Sequence, residues 1–257
     1  MATANSTQDP SRLTAVVTGA SSGIGRATAR RLVEEGWHVL AVARREDRLE
    51  ELAAETGCEV LAVDITADDS VDRLVARARE LFGSGLNAVV HVAGGALGVE
   101  TAAEADLEKW QRMYDINVLG TVRVTRALLP ALKVAKGAVI TIGSIAARQN
   151  YPGGAGYNAA KHGERALTEV LRQEIAVDGV RVTEIDPGRV HTDFSLVRFD
   201  GDADKANAVY DGVKSLTAQD VADVITFVAT RPAHVNIDFL QITPIDQAGN
   251  AAPKPVK

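Results

Sequence analysis

The sequence predicts an α/β fold built on a doubly wound parallel sheet of about seven strands, and three observations carry that reading. Short, continuous apolar runs alternate with segments of helical spacing along the whole chain. Runs without polar alternation suit strands buried on both faces, and regular strand–helix alternation demands right-handed crossovers between parallel neighbours. The first apolar run also ends at a glycine cluster, Gly19, Gly23 and Gly25, directly before a helical segment.

The elements follow in order. Leu13 to Thr18 is a β-branched apolar run, Gly23 to Gly36 has helical spacing, and Trp37 to Ala43 is apolar again. Glu46 to Thr56 reads as a helix whose first-turn acids complement its dipole. Cys58 to Val63 is the third strand, Ser70 to Phe82 the next helix and Leu86 to Val92 the fourth strand. Leu107 to Lys133 carries one long helical pattern, bent or ended near Pro130. Ala138 to Ile142 is the fifth strand, and Ala159 to Val177 a helix after a glycine-rich loop. Val180 to Ile185 is the sixth strand, stopped by Pro187-Gly188; Gln219 to Thr230 is helical and Phe239 to Thr243 closes the pattern. Neither a linker nor an internal repeat interrupts it, so residues 12–247 are expected to form one domain, with residues 1–11 and 248–257 as flexible tails.

Composition narrows the function. With 46% hydrophobic residues in 257, the chain has material for a core, which excludes disorder, and a lone cysteine, Cys58, excludes a disulfide framework. No run reaches the ~18 apolar residues that span a bilayer, and the polar start lacks an apolar signal core. A soluble protein of a reducing cytoplasm is the expectation, without a membrane partner. Lys and Arg are interspersed with acids at a net charge of −6, which argues against a nucleic-acid partner.

The segment Thr18-Gly19-Ala20-Ser21-Ser22-Gly23-Ile24-Gly25 lies between strand and helix. There Gly19 permits a tight turn, Gly23 lets backbone approach a pyrophosphate, and Gly25 lets helix and strand pack closely. Free N–H groups at the helix start face the phosphates. The bland alternative is an ordinary glycine-rich loop. No Lys-Ser or Lys-Thr follows the last glycine, so a nucleoside-triphosphate loop is disfavoured. At the end of the second strand, Ala43-Arg44-Arg45 stands where dinucleotide sites place the residue that reads the ribose. An acid there would repel a 2′-phosphate; two guanidinium groups welcome one. The reading is NADP(H) over NAD, with a solvated pair feeding Glu46 and Asp47 as the alternative.

Carbonyl–alcohol chemistry needs a proton donor for a developing alkoxide and a hydrogen bond to hold that oxygen. Tyr157 and Lys161 are spaced to share a helix face, so the ammonium would lower the phenol's pKa. Tyr210 and Lys214 repeat the spacing. Context favours the first pair: Ser144 stands thirteen residues before Tyr157, whereas the same step back from Tyr210 reaches Val197, which has no hydroxyl. Tyr210 reads as an aromatic packing a lid over Phe194 to Lys214. No His or Cys spacing suits a metal, and His91 reads as structural.

The loop Thr-Gly-x-x-x-Gly-x-Gly, with Ser144, Tyr157 and Lys161, resembles the short-chain dehydrogenase/reductase family across about residues 12 to 247. The resemblance implies a Rossmann-type fold and a catalytic set of Asn117, Ser144, Tyr157 and Lys161, with a helix kink or buried polar residue as the alternative reading of Asn117. It implies cofactor contacts at Gly19, Ser21, Ser22, Gly23, Ile24, Gly25, Arg44, Arg45, Asp64, Ile65, Ala93, Gly94, Pro187, Gly188, Val190 and Thr192, beside Tyr157 and Lys161. One departure stands out: the family's Asn-Asn-Ala-Gly is His91-Val92-Ala93-Gly94 here, which puts side-chain hydrogen bonding there in doubt, though the backbone can serve. Asp193-Phe194-Ser195, Val197-Arg198-Phe199 and the run Pro232 to Ile237 resemble the NADP-dependent 3-hydroxy acid dehydrogenases acting on serine or allo-threonine. Clavulanate-type aldehyde reductases are similar there, so reduction of another aldehyde or ketone stays open. A non-catalytic NADP sensor would not need the intact Ser144, Tyr157 and Lys161 set, and an extended-type epimerase would want a larger C-terminal domain. For a substrate carboxylate, Arg148 is the first candidate and Arg189 the second, each equally readable as a solvated or interface arginine. The resemblance also implies a homo-oligomer, tetramer or dimer.

Overall fold

Each apolar run finds a parallel partner in the structure, a computed structural model that describes residues 12–247. The strands are β1 (Thr14–Thr18), β2 (His38–Ala43), β3 (Glu59–Ala62), β4 (Ala88–His91), β5 (Ala138–Ile142), β6 (Arg181–Pro187) and β7 (Phe239–Ile242). The helices are α1 (Gly23–Glu34), α2 (Glu46–Thr56), α3 (Asp68–Phe82), α4 (Leu107–Tyr114), α5 (Gly120–Ala135), α6 (Ala155–Ile175), α7 (Phe194–Arg198), α8 (Ala203–Ala208) and α9 (Ala218–Ala229). The strands form one sheet in the order β3-β2-β1-β4-β5-β6-β7, every pair parallel. The order reverses between β1 and β4, and a crevice opens beyond the carboxyl ends of the strands at such a switch point.

Alternation along the strands divides the core into two layers. Ala15, Val17, Val39, Ala41, Val90 and Ile140 face one side, against Leu32 of α1 and Val221 and Ile225 of α9. Val16, Leu40, Val89, Val139 and Val182 face the other, against Leu74 of α3 and Val124, Leu128 and Leu132 of α5. A fully buried side chain of this size contributes roughly 1.5–3 kcal/mol, so both faces hold the sheet. No helix of the described residues is long and apolar enough to cross a membrane.

The structure redraws three boundaries. The long pattern from Leu107 is two helices separated by a π turn over Asp115–Leu119. Pro130 lies inside α5, which runs on to Ala135. The interruption therefore sits at Asn117, where an extra residue widens the turn. Helix α6 begins at Ala155, four residues before the sequence reading placed it, with the Asn158 N–H closing its first turn on the Gly154 carbonyl at 2.7 Å. Strand β6 takes in Pro187, since the Gly188 N–H still reaches the Ile242 carbonyl at 2.7 Å. The expected tails lie outside the described residues.

Candidate active site

The glycine turn after β1 is shaped by close backbone approach. Gly19 has φ +68°, and a Cβ on it would stand 2.7 Å from the Ala93 nitrogen. A Cβ on Gly25 would collide with the Gly19 carbonyl. Thr18 links this turn to the segment after β4. Its hydroxyl accepts from the Val92 and Ala93 N–H groups, each at 3.1 Å. These two bonds give the segment after β4 side-chain hydrogen bonding despite the His91-Val92 departure. His91 points into the core, bonded to Thr125 at 2.8 Å, and burial holds its pKa down at about 4.

Arg45 folds over the same turn. Its Nε and Nη2 donate to Ser21 Oγ at 3.2 and 3.0 Å, and Nη2 to Ser22 Oγ at 2.7 Å. The guanidinium is thus spent on hydroxyls rather than on Glu46 or Asp47, which disfavours the solvated-pair reading. Arg44 is exposed beside it. Burial raises the Asp64 pKa, but the Thr66 hydroxyl and N–H, at 2.7 and 2.9 Å, and the Arg44 charge leave it net lowered. Ile65 is buried against the start of α5, where Gly120 leaves it room. These residues form one end of a groove along the carboxyl edge of the sheet.

At the other end lies a cleft of about 290 Å³, lined among others by Ile24, Gly94, Ser144, Tyr157, Lys161, Pro187, Gly188, Val190 and Thr192. Gly19, Ser21, Ser22, Gly23, Gly25, Ala93 and the adenine-end residues lie outside this lining. Asn117 stands behind it, fully buried in the π turn. Its Nδ2 donates to the Gly95 and Met113 carbonyls at 3.0 and 2.7 Å, and its Oδ1 accepts from the Gly95 N–H at 3.2 Å. The widened turn aims the amide inward, where it clamps both backbone groups of Gly95.

Ser144 stands two residues past β5, its N–H bonded to Asp186 Oδ1 at 2.9 Å. Tyr157 sits one helical turn before Lys161 on α6, and its ring meets Phe194 edge-on at 5.6 Å. Lys161 Nζ lies 6.0 Å from the Tyr157 ring centre and donates to the Ile142 carbonyl at 2.9 Å and to Glu164 at 2.6 Å. Burial raises the Tyr157 pKa; Lys161 and the Ser144 hydroxyl pull it down, and the result stays above a free tyrosine's. Lys161 therefore acts in the expected direction without overcoming burial. Tyr210 lines the same cleft but is bonded elsewhere: its hydroxyl meets Ser195 Oγ at 2.8 Å and lies 3.3 Å from the Val190 and Thr192 carbonyls, tying α7 to the segment after β6.

Arg148 departs from expectation. Its Nε donates to Asp186 at 2.8 Å and its Nη2 to Glu184 at 2.9 Å, while its guanidinium stacks 3.5 Å above Phe239. Two carboxylates answer it, so it has no free charge for a substrate. Arg189 does line the cleft, with its backbone N–H held by Gln247 Oε1 at 2.8 Å. So does Arg198, a residue to which local pattern assigns no site role. It donates to the Gly98 carbonyl, the Tyr151 hydroxyl and the Gly153 carbonyl at 3.2, 2.9 and 3.1 Å. Among the described residues lining the cleft, the charged ones are Lys161, Arg189 and Arg198, all cationic. Only folding brings Arg198 to the pocket, and no spacing signal in the chain announces it.

Comparisons with known proteins agree with this architecture. The family model described as short chain dehydrogenase matches residues 13–202. An uncharacterised oxidoreductase of Mycobacterium tuberculosis is 55% identical over 235 residues, 91% of this chain and 92% of its own. Serine 3-dehydrogenase of Agrobacterium fabrum is 41% identical over 237 residues, 91% of this chain and 95% of its own. A solved closed form of serine dehydrogenase in complex with NADP+ superposes with a TM-score of 0.88 at 38% identity, covering 92% of this chain and 96% of that one. With fold, sheet order and sequence in agreement, this chain belongs to the short-chain dehydrogenase family of oxidoreductases.

Proposed function

We propose that the protein interconverts a small 3-hydroxy acid and its 3-oxo counterpart with NADP(H). The observation that carries this reading is the cleft itself, where Ser144, Tyr157 and Lys161 share a wall with two further cations and no lining carboxylate. In a chain of net charge −6, such a pocket selects for an anionic substrate by local placement rather than overall charge. Serine, named in the relatives above, is itself a 3-hydroxy acid.

The groove fits the cofactor. Backbone packs against backbone at Gly19 and Gly25, so the turn stays tight and its helix-start N–H groups would face a pyrophosphate, and Arg44, Arg45, Ser21 and Ser22 gather donors suited to a 2′-phosphate. Asp64 and Ile65 would border the adenine, while Gly94, Pro187, Gly188, Val190 and Thr192 would border the nicotinamide end. When bound, NADP(H) supplies or accepts the hydride at the oxygen-bearing carbon. In reduction, Ser144 Oγ donates a hydrogen bond to the substrate oxygen, and Tyr157 Oη gives that oxygen its proton. Lys161 holds charge beside Tyr157, and its remaining N–H would be available to the nicotinamide ribose when the cofactor is bound. Asn117 keeps Gly95, and with it the cleft wall, in place. A proton donor of this kind contributes ~10²–10⁴-fold in rate. Tyr157→Phe is therefore expected to lower NADPH consumption with 3-oxo acids by at least that factor while leaving NADPH binding within about twofold; a variant of near wild-type activity would refute the assignment. A reducing cytoplasm suits the buried, free Cys58, and a homo-oligomer belongs to the same reading.

A further inference from the structure

The buried face of α6 continues past the reacting pair. Tyr157, Lys161, Glu164 and Thr168 follow at helical spacing, exposed by only 8, 4, 1 and 0%. A carboxylate so deeply buried demands a partner. Glu164 has one in the Lys161 ammonium at 2.6 Å, and the Ile142 carbonyl takes a second ammonium proton at 2.9 Å. The third is left on the side of Gly94, where Nζ lies 3.5 Å from the point a Gly94 Cβ would occupy. The Thr168 hydroxyl donates to the Glu164 carbonyl at 2.9 Å and meets Thr141 Oγ1 at 3.1 Å, fixing this turn against β5. Seen from Tyr157, Lys161 is then one end of an ion pair rather than a lone cation, and the two fields oppose each other.

We propose that Glu164 is a positioning residue acting through Lys161: it aims the ammonium at the cleft and cancels part of its field at Tyr157. The proposal rests on the reading of Tyr157 as the proton donor. Its consequence is that Tyr157 stays protonated through neutral pH, the form that carbonyl reduction requires. Other charged and titratable groups face this cluster. Glu184 and Asp186 approach from β6 but are answered by Arg148; Arg165 projects from α6, the Thr121 hydroxyl from α5, and Tyr151 lies beside Tyr157. With Arg148 occupied, Glu164 is the counter-ion in direct contact with Lys161.

The sign follows from charge. Replacing Glu164 by glutamine removes a negative charge while keeping the shape and an acceptor for Lys161, so the Tyr157–Lys161 pair gives up its first proton at lower pH. An opposite charge within ~4–6 Å moves a pKa by ~1–3 units; Glu164 touches Lys161 but lies two helical turns, ~10 Å of rise, from Tyr157, so its removal is expected to return about half a unit. Two measurements read this in Glu164→Gln. The near-ultraviolet absorbance of tyrosinate, taken as the difference from the matching Tyr157→Phe background, isolates Tyr157 from Tyr114, Tyr151 and Tyr210 without cofactor. The pH profile of alcohol oxidation reads the same midpoint in the working enzyme. Both midpoints should fall by about half a unit, and Glu164→Asp, which keeps the charge but draws it back, should shift less in the same direction. Unmoved midpoints in either variant, if it folds and binds NADPH, would overturn the proposal. So would lowered turnover with no shift, which marks a packing role alone. The spectroscopic arm stands apart from the functional reading: were Tyr157→Phe to retain activity, the proton-donor assignment would fall while the titration still tested the coupling.

Discussion

Arg148 and Arg189 carry the same guanidinium, yet the fold gives them opposite surroundings. Arg148 meets Asp186 and Glu184, two carboxylates on one face of β6, and burial with that like-charged neighbour lifts the Glu184 pKa to about 7. Arg189 lines the cleft, where burial lowers its pKa by disfavouring the unpaired charge. A substrate carboxylate arriving there would relieve that cost. A charge-assisted hydrogen bond contributes ~1.5–3 kcal/mol. Arg189→Ala is accordingly expected to raise KM for a 3-oxo acid on the order of 10–100-fold and leave that for a neutral ketone of similar size within about twofold. Steady-state kinetics on the two substrates check it; equal effects on both would exclude Arg189 as the anion's partner.

At the scale of elements, the turn between β1 and α1 and the end of β2 act as one unit, because Arg45 bridges them through Ser21 and Ser22. Replacing Arg44 and Arg45 together by alanine should weaken NADPH binding on the order of 10–100-fold while changing NADH binding little, as measured by fluorescence titration of each cofactor. This unit was legible in the sequence, since glycines after a strand and basic residues ending the next one are local patterns. The Tyr157, Lys161 pair was legible for the same reason, as one helix face. Glu164 obeyed the same periodicity and was passed over, because a carboxylate on a helix reads as solvated until its burial is known. The break at Asn117 was legible only as the alternative reading of that residue, a helix kink or buried polar group, because a π turn adds one residue without a proline or glycine and the apolar pattern ran across it. Pro130 drew the expected break toward itself, yet α5 accommodates it. Arg198 and the role of Arg148 were beyond local reading, since both depend on which carboxylates and carbonyls distant segments bring near.

Across the whole molecule, buried groups titrate in opposite directions. His91 is buried and neutral, with its folded pKa lowered to about 4 from 6.5. The unfolded chain therefore binds more protons between those values, and stability falls as pH drops through that window. Glu184 has its folded pKa raised to about 7 from 4.5, so its contribution is present below the lower value and lost as pH rises toward the upper one. The two trends therefore run in opposite senses across mildly acidic pH. Replacing His91 by glutamine removes one side of the balance. By denaturant unfolding, the wild-type protein should lose its advantage over that variant by roughly 2 kcal/mol between pH 7 and pH 5; a constant difference would show that the imidazole does not titrate on unfolding.

The segment after β4 has no strand partner beyond His91, yet its amides are not free. Thr18 takes those of Val92 and Ala93, and Asn117 takes that of Gly95. In hydrogen–deuterium exchange these three amides should behave as core rather than as loop, opening with the sheet itself. A ligand laid against them meets a wall already ordered, so little conformational entropy is lost on its arrival.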